Sequence, residues 1–397
     1  MFKDLKASKV IIWSIFFILF ASFLYMFNNN HPLGYNKQND KSYVKYEKAQ
    51  VVKIKSESIN PLEDSSNIFL GSQEISVKIL SGEHKGEVKE ITNYLSDTHS
   101  VYVKKGMKVI TEIDTAGSEY QVIVYNYYRA PLQYLFVIIF FALLCVIGGR
   151  KGVKSVIGLA FTFISIIFLF IPMLYRGYSP VLSSVLIIVL VTCVTLLLLN
   201  GYSAKTLSAI FGTILGVSIA AIIALIVGKL AHLTGYSTQD VETLNMISAK
   251  FNLKVEGLLL ASILISSLGA VMDLSISIAS SVQEVYSSNN KINKKELFTS
   301  GMNVGRDMMG TMANTLILAF AGASLNMIII IYFYNVSYNQ LINMDMVNVE
   351  IIQGLTGSLA VILTVPIIAF ISSRLIPVFQ HQSKKSKNFI YKLAPSK

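Results

Sequence analysis

Asp273, Arg306 and Asp307 stand in stretches that are otherwise apolar enough for a bilayer, and each is accompanied by small polar residues at helical spacing. Ser262, Ser266, Gly269, Asp273, Ser277, Ser280 and Glu284 recur every three or four residues, which places them on one face of an α-helix. Asn303, Asp307, Gly310 or Thr311, and Asn314 follow the same rule, and Gly301 and Gly305 form a small-xxx-small pair. An ionised side chain at the centre of a membrane helix costs about 2.5–3.5 kcal/mol on insertion scales, so it marks a functional site by default. Three chemistries are within reach. Carboxylates, hydroxyls and amides can line a path or gate for a solute or ion, two membrane aspartates can cut a peptide bond, and a carboxylate beside a guanidinium can clasp two helices. The flanks VMDLS and GRDMM do not resemble aspartyl protease signatures, which sets proteolysis aside. The candidate pathway or gate is therefore Ser262, Ser266, Asp273, Ser277, Asn303, Arg306, Asp307 and Asn314. The structural alternative pairs Asp273 with Arg306 and uses the serines as interhelical hydrogen bonds. Asp273 lies 17 residues beyond Glu256, hence about 25 Å along a helix. That is near the inner membrane boundary, at the level expected for Arg306 and Asp307.

The other reactive residue types lead elsewhere. His31, His84, His99, His232 and His381 lie outside the apolar segments and lack paired-ligand spacing, so no metal site is expected. No GxxxxGK[ST] loop is present, and GGRKG at 148–152 reads as a basic loop; no cofactor and no catalytic residues are expected. Cys145 and Cys193 fall within apolar runs, where a free cysteine acts as a small hydrophobe.

The elements that must carry the polar stripes are membrane helices. Of the 397 residues 53% are hydrophobic and only 14% charged, and the mean hydropathy is +0.56, which indicates an integral membrane protein. Residues 10–27 read as a first helix behind Lys3, Lys6 and Lys9, longer than a signal-peptide core and without an AxA-like cleavage site. Seven further segments of spanning length run near 132–148, 155–174, 181–199, 207–228, 257–280, 308–333 and 355–376. Residues 28–130 instead contain short β-branched runs at 50–55, 74–80, 87–91, 101–113 and 120–127, separated by Gly-containing turns. The expected fold is an all-α polytopic membrane protein with about eight transmembrane helices and a small β-rich extracytoplasmic domain, OB-like or SH3-like, between the first and second. Residues 1–27 form the anchor, 28–130 the β region, 131–380 the seven-helix domain and 381–397 a basic tail. Pro366 is expected to kink the last helix, and a short interfacial helix is expected after a cap at Ser237 or Thr238.

The net charge of +11 fits this topology better than it fits nucleic acid. With the N-terminus in the cytoplasm, 17 of the 34 basic residues fall in inner segments, 4 in outer loops and 13 in the β region, whose 13 acidic residues balance them. This positive-inside bias places both termini in the cytoplasm and residues 28–130 outside.

Two long motifs, SSLGAVMDLSISIASSVQEV (Ser266–Val285) and GMNVGRDMMGTMANTLILAFAG (Gly301–Gly322), with a lysine-rich loop between them, resemble the YibE/F family of multi-spanning bacterial membrane proteins. The resemblance extends from about the β region to the C-terminus. It implies a permease-like protein with an N-terminal extracytoplasmic segment, and it brings no substrate and no catalytic residue. The expected function is a transporter for a small solute or ion in the bacterial cytoplasmic membrane. The alternative is a non-transporting scaffold whose β domain recruits an envelope protein.

Overall fold

The computed structural model describes residues 2–30, 43–61, 68–117, 119–233 and 241–393. The chain forms two compact units, one of Tyr35–Leu143 and one of Met1–Gly34 with Leu144–Lys397.

The first unit contains a five-stranded antiparallel sheet, with β1 Val44–Pro61, β2 Phe69–Ile79, β3 Val88–Leu95, β4 Lys108–Asp114 and β5 Gln121–Tyr127. The strand order is β3-β2-β1-β4-β5. Alternation decides which face is buried: Ile75, Val77 and Ile79 of β2, Val109 and Ile113 of β4, and Val122 and Val124 of β5 point into one core. The long β1 serves both halves of the sheet. Its first residues pair with β4 and its later ones with β2, and register shifts at Val51/Lys53 and Ile54/Ser56 bend it between the two. The sheet therefore curls, and its edge strands β3 and β5 approach each other as in a partly open five-stranded barrel.

One expected strand is not formed as read. Val101–Ile113 is broken by the turn at Lys105–Gly106, where Gly106 has φ +88°, and only Lys108–Asp114 joins the ladder. Val101 and Val103 are nevertheless buried. Both backbone groups of Val103 and the carbonyl of Val101 are satisfied by two buried amides instead of a strand. Gln73 Nε2 donates to the Val103 carbonyl at 3.0 Å, Val103 N–H donates to Gln73 Oε1 at 3.0 Å, and Asn93 Nδ2 donates to the Val101 carbonyl at 2.9 Å.

The second unit is helical. Its elements are α1 Phe2–Asn30, α2 Ala130–Ser165, which begins in the first unit, a π-turn at Ile166–Phe170, α3 Ile171–Tyr175, α4 Pro180–Asn200, α5 Ala204–Leu230, α6 Val241–Lys250, α7 Leu258–Ser288, α8 Lys294–Ala323, α9 Leu325–Phe333, α10 Tyr338–Leu341 and α11 Asp345–Leu393. Among the described residues, six helices are long and apolar enough to cross a membrane, or seven if the bent pair α8–α9 is one span. The expected number of about eight is not confirmed by this count. The segments 132–148 and 155–174 fall within one apolar run, Ala130–Tyr175, which is counted once. Within it Gly149 leaves helical geometry (φ 53°, ψ −130°), and the backbone reverses so tightly that a Cβ on Gly152 would lie 2.0 Å from the Leu144 carbonyl oxygen. The segment 308–333 is broken at Ser324, where α8 and α9 meet at 61°. α6 forms in the loop where an interfacial helix was expected, but its cap, Ser237 or Thr238, lies outside the described residues.

α11 occupies the middle of the bundle, packed against α5, α7 and α8. It continues as helix through Pro366 and Pro377. Glycines on two neighbours bring the backbones together. A Cβ on Gly212 or Gly216 of α5 would fall 2.6 Å from Ile368 Cδ1 or 1.9 Å from Thr364 Oγ1, and one on Gly305 of α8 would fall 2.2 Å from Val365 Cγ1. α1 is tied down in the middle and at the C-terminal end of its apolar run. Phe20 packs on Phe161 with ring centroids 4.9 Å apart, Arg176 Nη2 donates to the Phe27 carbonyl at 2.6 Å, and Asn28 Nδ2 donates to the Phe168 carbonyl at 2.9 Å.

Gly216→Val is expected to lower stability by at least about 1–3 kcal/mol, the usual range for overpacking. Gly228→Ala, farther along the same helix where nothing lies within 4 Å, should be neutral or stabilising. Thermal unfolding of the solubilised protein, followed by retention of a monodisperse peak, checks the contrast. In the β unit, Gln73→Leu strands the Val103 amide and carbonyl in the core and should cost about 1–3 kcal/mol for each group left unpaired. Hydrogen exchange should then speed up at Val103 first and leave the β1–β4 ladder protected.

Candidate functional site

The stripe of α7 emerges from the way its other face packs. Leu264, Val271, Leu274, Ile278 and Val282 are buried in the bundle. Successive residues turn by about 100°, so a residue two positions from a buried one points about 200° away. Ser262, Ser266, Gly269, Asp273 and Glu284 are accordingly exposed, and Ser277 and Ser280 half-buried. α8 behaves in the same way. It starts with a complete capping box, in which Asn293 accepts from the Glu296 N–H at 2.8 Å and Glu296 accepts from the Asn293 N–H at 3.3 Å. Its Gly301 and Gly305 lie against α7 and α11, and a Cβ on Gly301 would sit 3.0 Å from both Val282 and Ala369. Asn303, Arg306, Asp307, Gly310, Thr311 and Asn314 are all exposed on the other side.

Both polar stripes thus lie on the outward faces of two adjacent helices rather than inside the bundle. Their relative heights follow from the close approaches. Gly305 meets Ile278 and Gly301 meets Val282, so the helices run antiparallel. Continuing that register puts Asp273 level with Gly310, Gly269 level with Asn314, and Arg306–Asp307 level with Ile276–Ser277. Asp273 is therefore offset from Arg306 and Asp307 by about one helical turn, roughly 5 Å in depth. Among the described residues no ion pair joins Asp273 to Arg306. The side chains of Asp273, Asn303, Arg306, Asp307 and Asn314 have no hydrogen-bond partner among the described residues either. The serines bond mostly within their own helix: Ser262 donates to the Leu259 carbonyl at 2.8 Å and Ser266 to the Ile263 carbonyl at 3.0 Å. The stripe of α7 is reached by an interhelical link from Gln353 Nε2 of α11 to Ser262 Oγ at 3.0 Å.

The polar groups that do face the interior are hydroxyls outside the two stripes. Ser208 and Thr213 of α5, Ser275 of α7 and Ser372 of α11 are fully buried, and their oxygens have no hydrogen-bond partner among the described residues. The approaches of Gly212 to Ile368 and Gly216 to Thr364, continued by one turn, bring Ser208 level with Ser372. A three-to-four residue repeat centred on Asp273 passes over Ser275, which is why the stripe pattern missed it. The signal was available in the GTILG spacing of Gly212 and Gly216.

Cavities among the described residues of this unit include the following three. One of about 520 Å³ lies in the elbow between α8 and α9, walled by Phe320, Met327, Ile331 and Leu355 and carrying Glu350. One of about 540 Å³ lies among the ends of α4, α5 and α7, with Lys229, Lys254 and Glu256. One of about 480 Å³ lies between α1, α2 and α4, beside Trp13 and Lys154. None of the three includes Asp273, Arg306 or Asp307. No group of three or more His, Cys, Asp or Glu side chains that could hold a metal occurs among the described residues.

The sequence profile described as YibE/F-like protein matches residues 136–378, and that of the YibE/F family N-terminal domain matches residues 41–127. No curated protein and no solved structure matches the chain. The first match takes in all of α4 to α9 with both polar stripes and the second takes in the whole curled sheet, so the chain belongs to the YibE/F-like family of proteins.

Proposed function

We propose that this chain is a transporter or permease-like protein of the bacterial cytoplasmic membrane, with a pathway for a small solute or ion along the polar faces of α7 and α8. The observation that carries the reading is a band of unpartnered polar side chains, Asp273, Asn303, Arg306, Asp307 and Asn314, on two helices otherwise suited to lipid. Ionisable groups in such positions are expensive to insert, and they persist where they meet water, a partner or a permeant species. Asp273 and Asp307 offer carboxylate oxygens about one turn apart, and Arg306, just beyond Asp307 in depth, supplies a fixed positive charge. Ser262, Ser266 and Ser277 extend the hydroxyl lining toward the outer end and alongside Arg306. The charge asymmetry of the loops supports cytoplasmic termini and an extracytoplasmic β domain. With no phosphate-binding loop in the sequence, active transport would draw on an ion gradient or a separate ATPase.

A second reading makes the protein a scaffold whose β domain recruits an envelope partner. It is favoured by the exposed aromatic side chains Tyr46, Tyr94 and Tyr125 on the sheet.

Proteoliposomes loaded with indicators for protons, sodium and potassium separate the two readings. Asp273→Asn should reduce flux at least tenfold while the thermal midpoint stays within about 2 °C of wild type. Unchanged flux in a preparation where the wild type conducts would remove Asp273 from the pathway. Under the scaffold reading, Asp273→Asn lowers the midpoint with no flux to lose, and deletion of residues 35–125 abolishes capture of the partner.

A further inference from the structure

We infer that a second copy of this chain packs against the outward face of α7 and α8 and encloses the polar band. The starting point is geometric. Gly301 and Gly305 hold one side of α8 against α7 and α11, so Asn303, Asp307, Gly310 and Asn314 must point the opposite way. Asp273 on α7 is likewise opposite to the buried Val271 and Ser275. A face of this polarity is unsuited to acyl chains, and within one chain nothing among the described residues satisfies it.

The residue types identify the occupant. Two copies in one membrane relate by a two-fold axis along the membrane normal, so each residue meets groups at its own depth on the other copy. Arg306 and Asp307 are neighbours in sequence and differ by about 100° around the helix. Across such an axis Arg306 of one copy comes opposite Asp307 of the other, twice over. Asn303 and Asn314 carry amides, which both donate and accept and so can pair with their own copies. Gly310 and Gly269, beside which a Cβ would meet nothing within 4 Å, leave the faces open to close approach. A self-complementary set at matching depths is what an isologous contact needs, whereas an unrelated partner would have to supply the complement separately.

The contact stands on the packing of α7 and α8; that it encloses a conducting path rests on the proposed function. Asp273, at the depth of Gly310, then lies in the gap between copies instead of in lipid.

The test uses the full chain in lipid vesicles with Cys145→Ser and Cys193→Ser in the background. Under mild oxidation Asn314→Cys and Asn303→Cys should yield a covalent dimer as the major species, and Leu186→Cys, exposed on α4, should yield less than a tenth as much. Comparable yields from all three positions, or none from Asn303 and Asn314, would overturn the inference. Subunit counting by single-molecule photobleaching supplies an independent readout. Arg306→Glu should shift wild-type dimers to monomers with at least a tenfold loss of association, and the double swap Arg306→Glu with Asp307→Arg should restore them. A wild-type monomer, or no rescue by the swap, also overturns it. Flux measured on the same vesicles separates the two claims. Monomers that conduct reject the contact and keep the pathway, and dimers that do not conduct keep the contact and reject the pathway.

Discussion

The close approach of α11 to its neighbours at glycine is the constraint on which the helical unit depends. Gly212 and Gly216 of α5, and Gly301 and Gly305 of α8, bring their backbones to the surface of α11 where any side chain would collide with Thr364, Val365, Ile368 or Ala369. In a bilayer little hydrophobic force drives one apolar helix onto another, because lipid is as apolar as leucine. Association then depends on van der Waals packing, and small residues maximise it by letting helices come near. Two such pairs, on faces of α11 about 100° apart, fix both the height and the rotation of its partners.

Rotation is the consequential part. Gly305 faces inward, and a residue two positions away faces outward, so the same contact that builds the bundle turns Asn303 and Asp307 away from it. α7 is set by the same logic from Leu264 to Val282. Polar side chains that look in a helical projection like the lining of a channel through one chain become the outer surface of a helix pair. The interior polarity belongs to hydroxyls such as Ser208, Ser275 and Ser372, which cost less to bury than a carboxylate or guanidinium.

The β unit shows side chains substituting for backbone. Val101 and Val103 belong in the core by their hydrophobicity, yet the turn at Gly106 prevents their joining the ladder. Gln73 and Asn93, themselves buried, supply the donors and acceptor that a neighbouring strand would have provided. Each is a polar residue in an otherwise alternating strand, a pattern that local rules score as a defect. The long β1 is a related case, because its bulges serve two pairings that are distant in sequence.

Much was legible from residues alone because it follows from local periodicity and transfer energetics. Mean hydropathy marked the apolar helices, alternation marked β5 nearly as it forms and parts of β1, β2 and β3, and spacing grouped Asp273 with Ser262 and Asp307 with Asn303. The family resemblance in Ser266–Val285 and Gly301–Gly322 was likewise carried by the sequence. The basic loop at 148–152 did mark the place where Gly149 leaves helical geometry, but the 61° break at Ser324 was not legible, being a backbone event inside an apolar run that hydropathy reads as uniform. Nor could periodicity say which way a stripe points. It determines which residues share a face, but only packing between segments far apart in the chain decided where those faces look. The glycine contacts of α8 turn Asp307 outward, the burial of Val271, Ser275 and Ile278 turns Asp273 outward, and the meeting of Gly301 and Gly305 with Val282 and Ile278 leaves Asp273 about one turn away from Arg306.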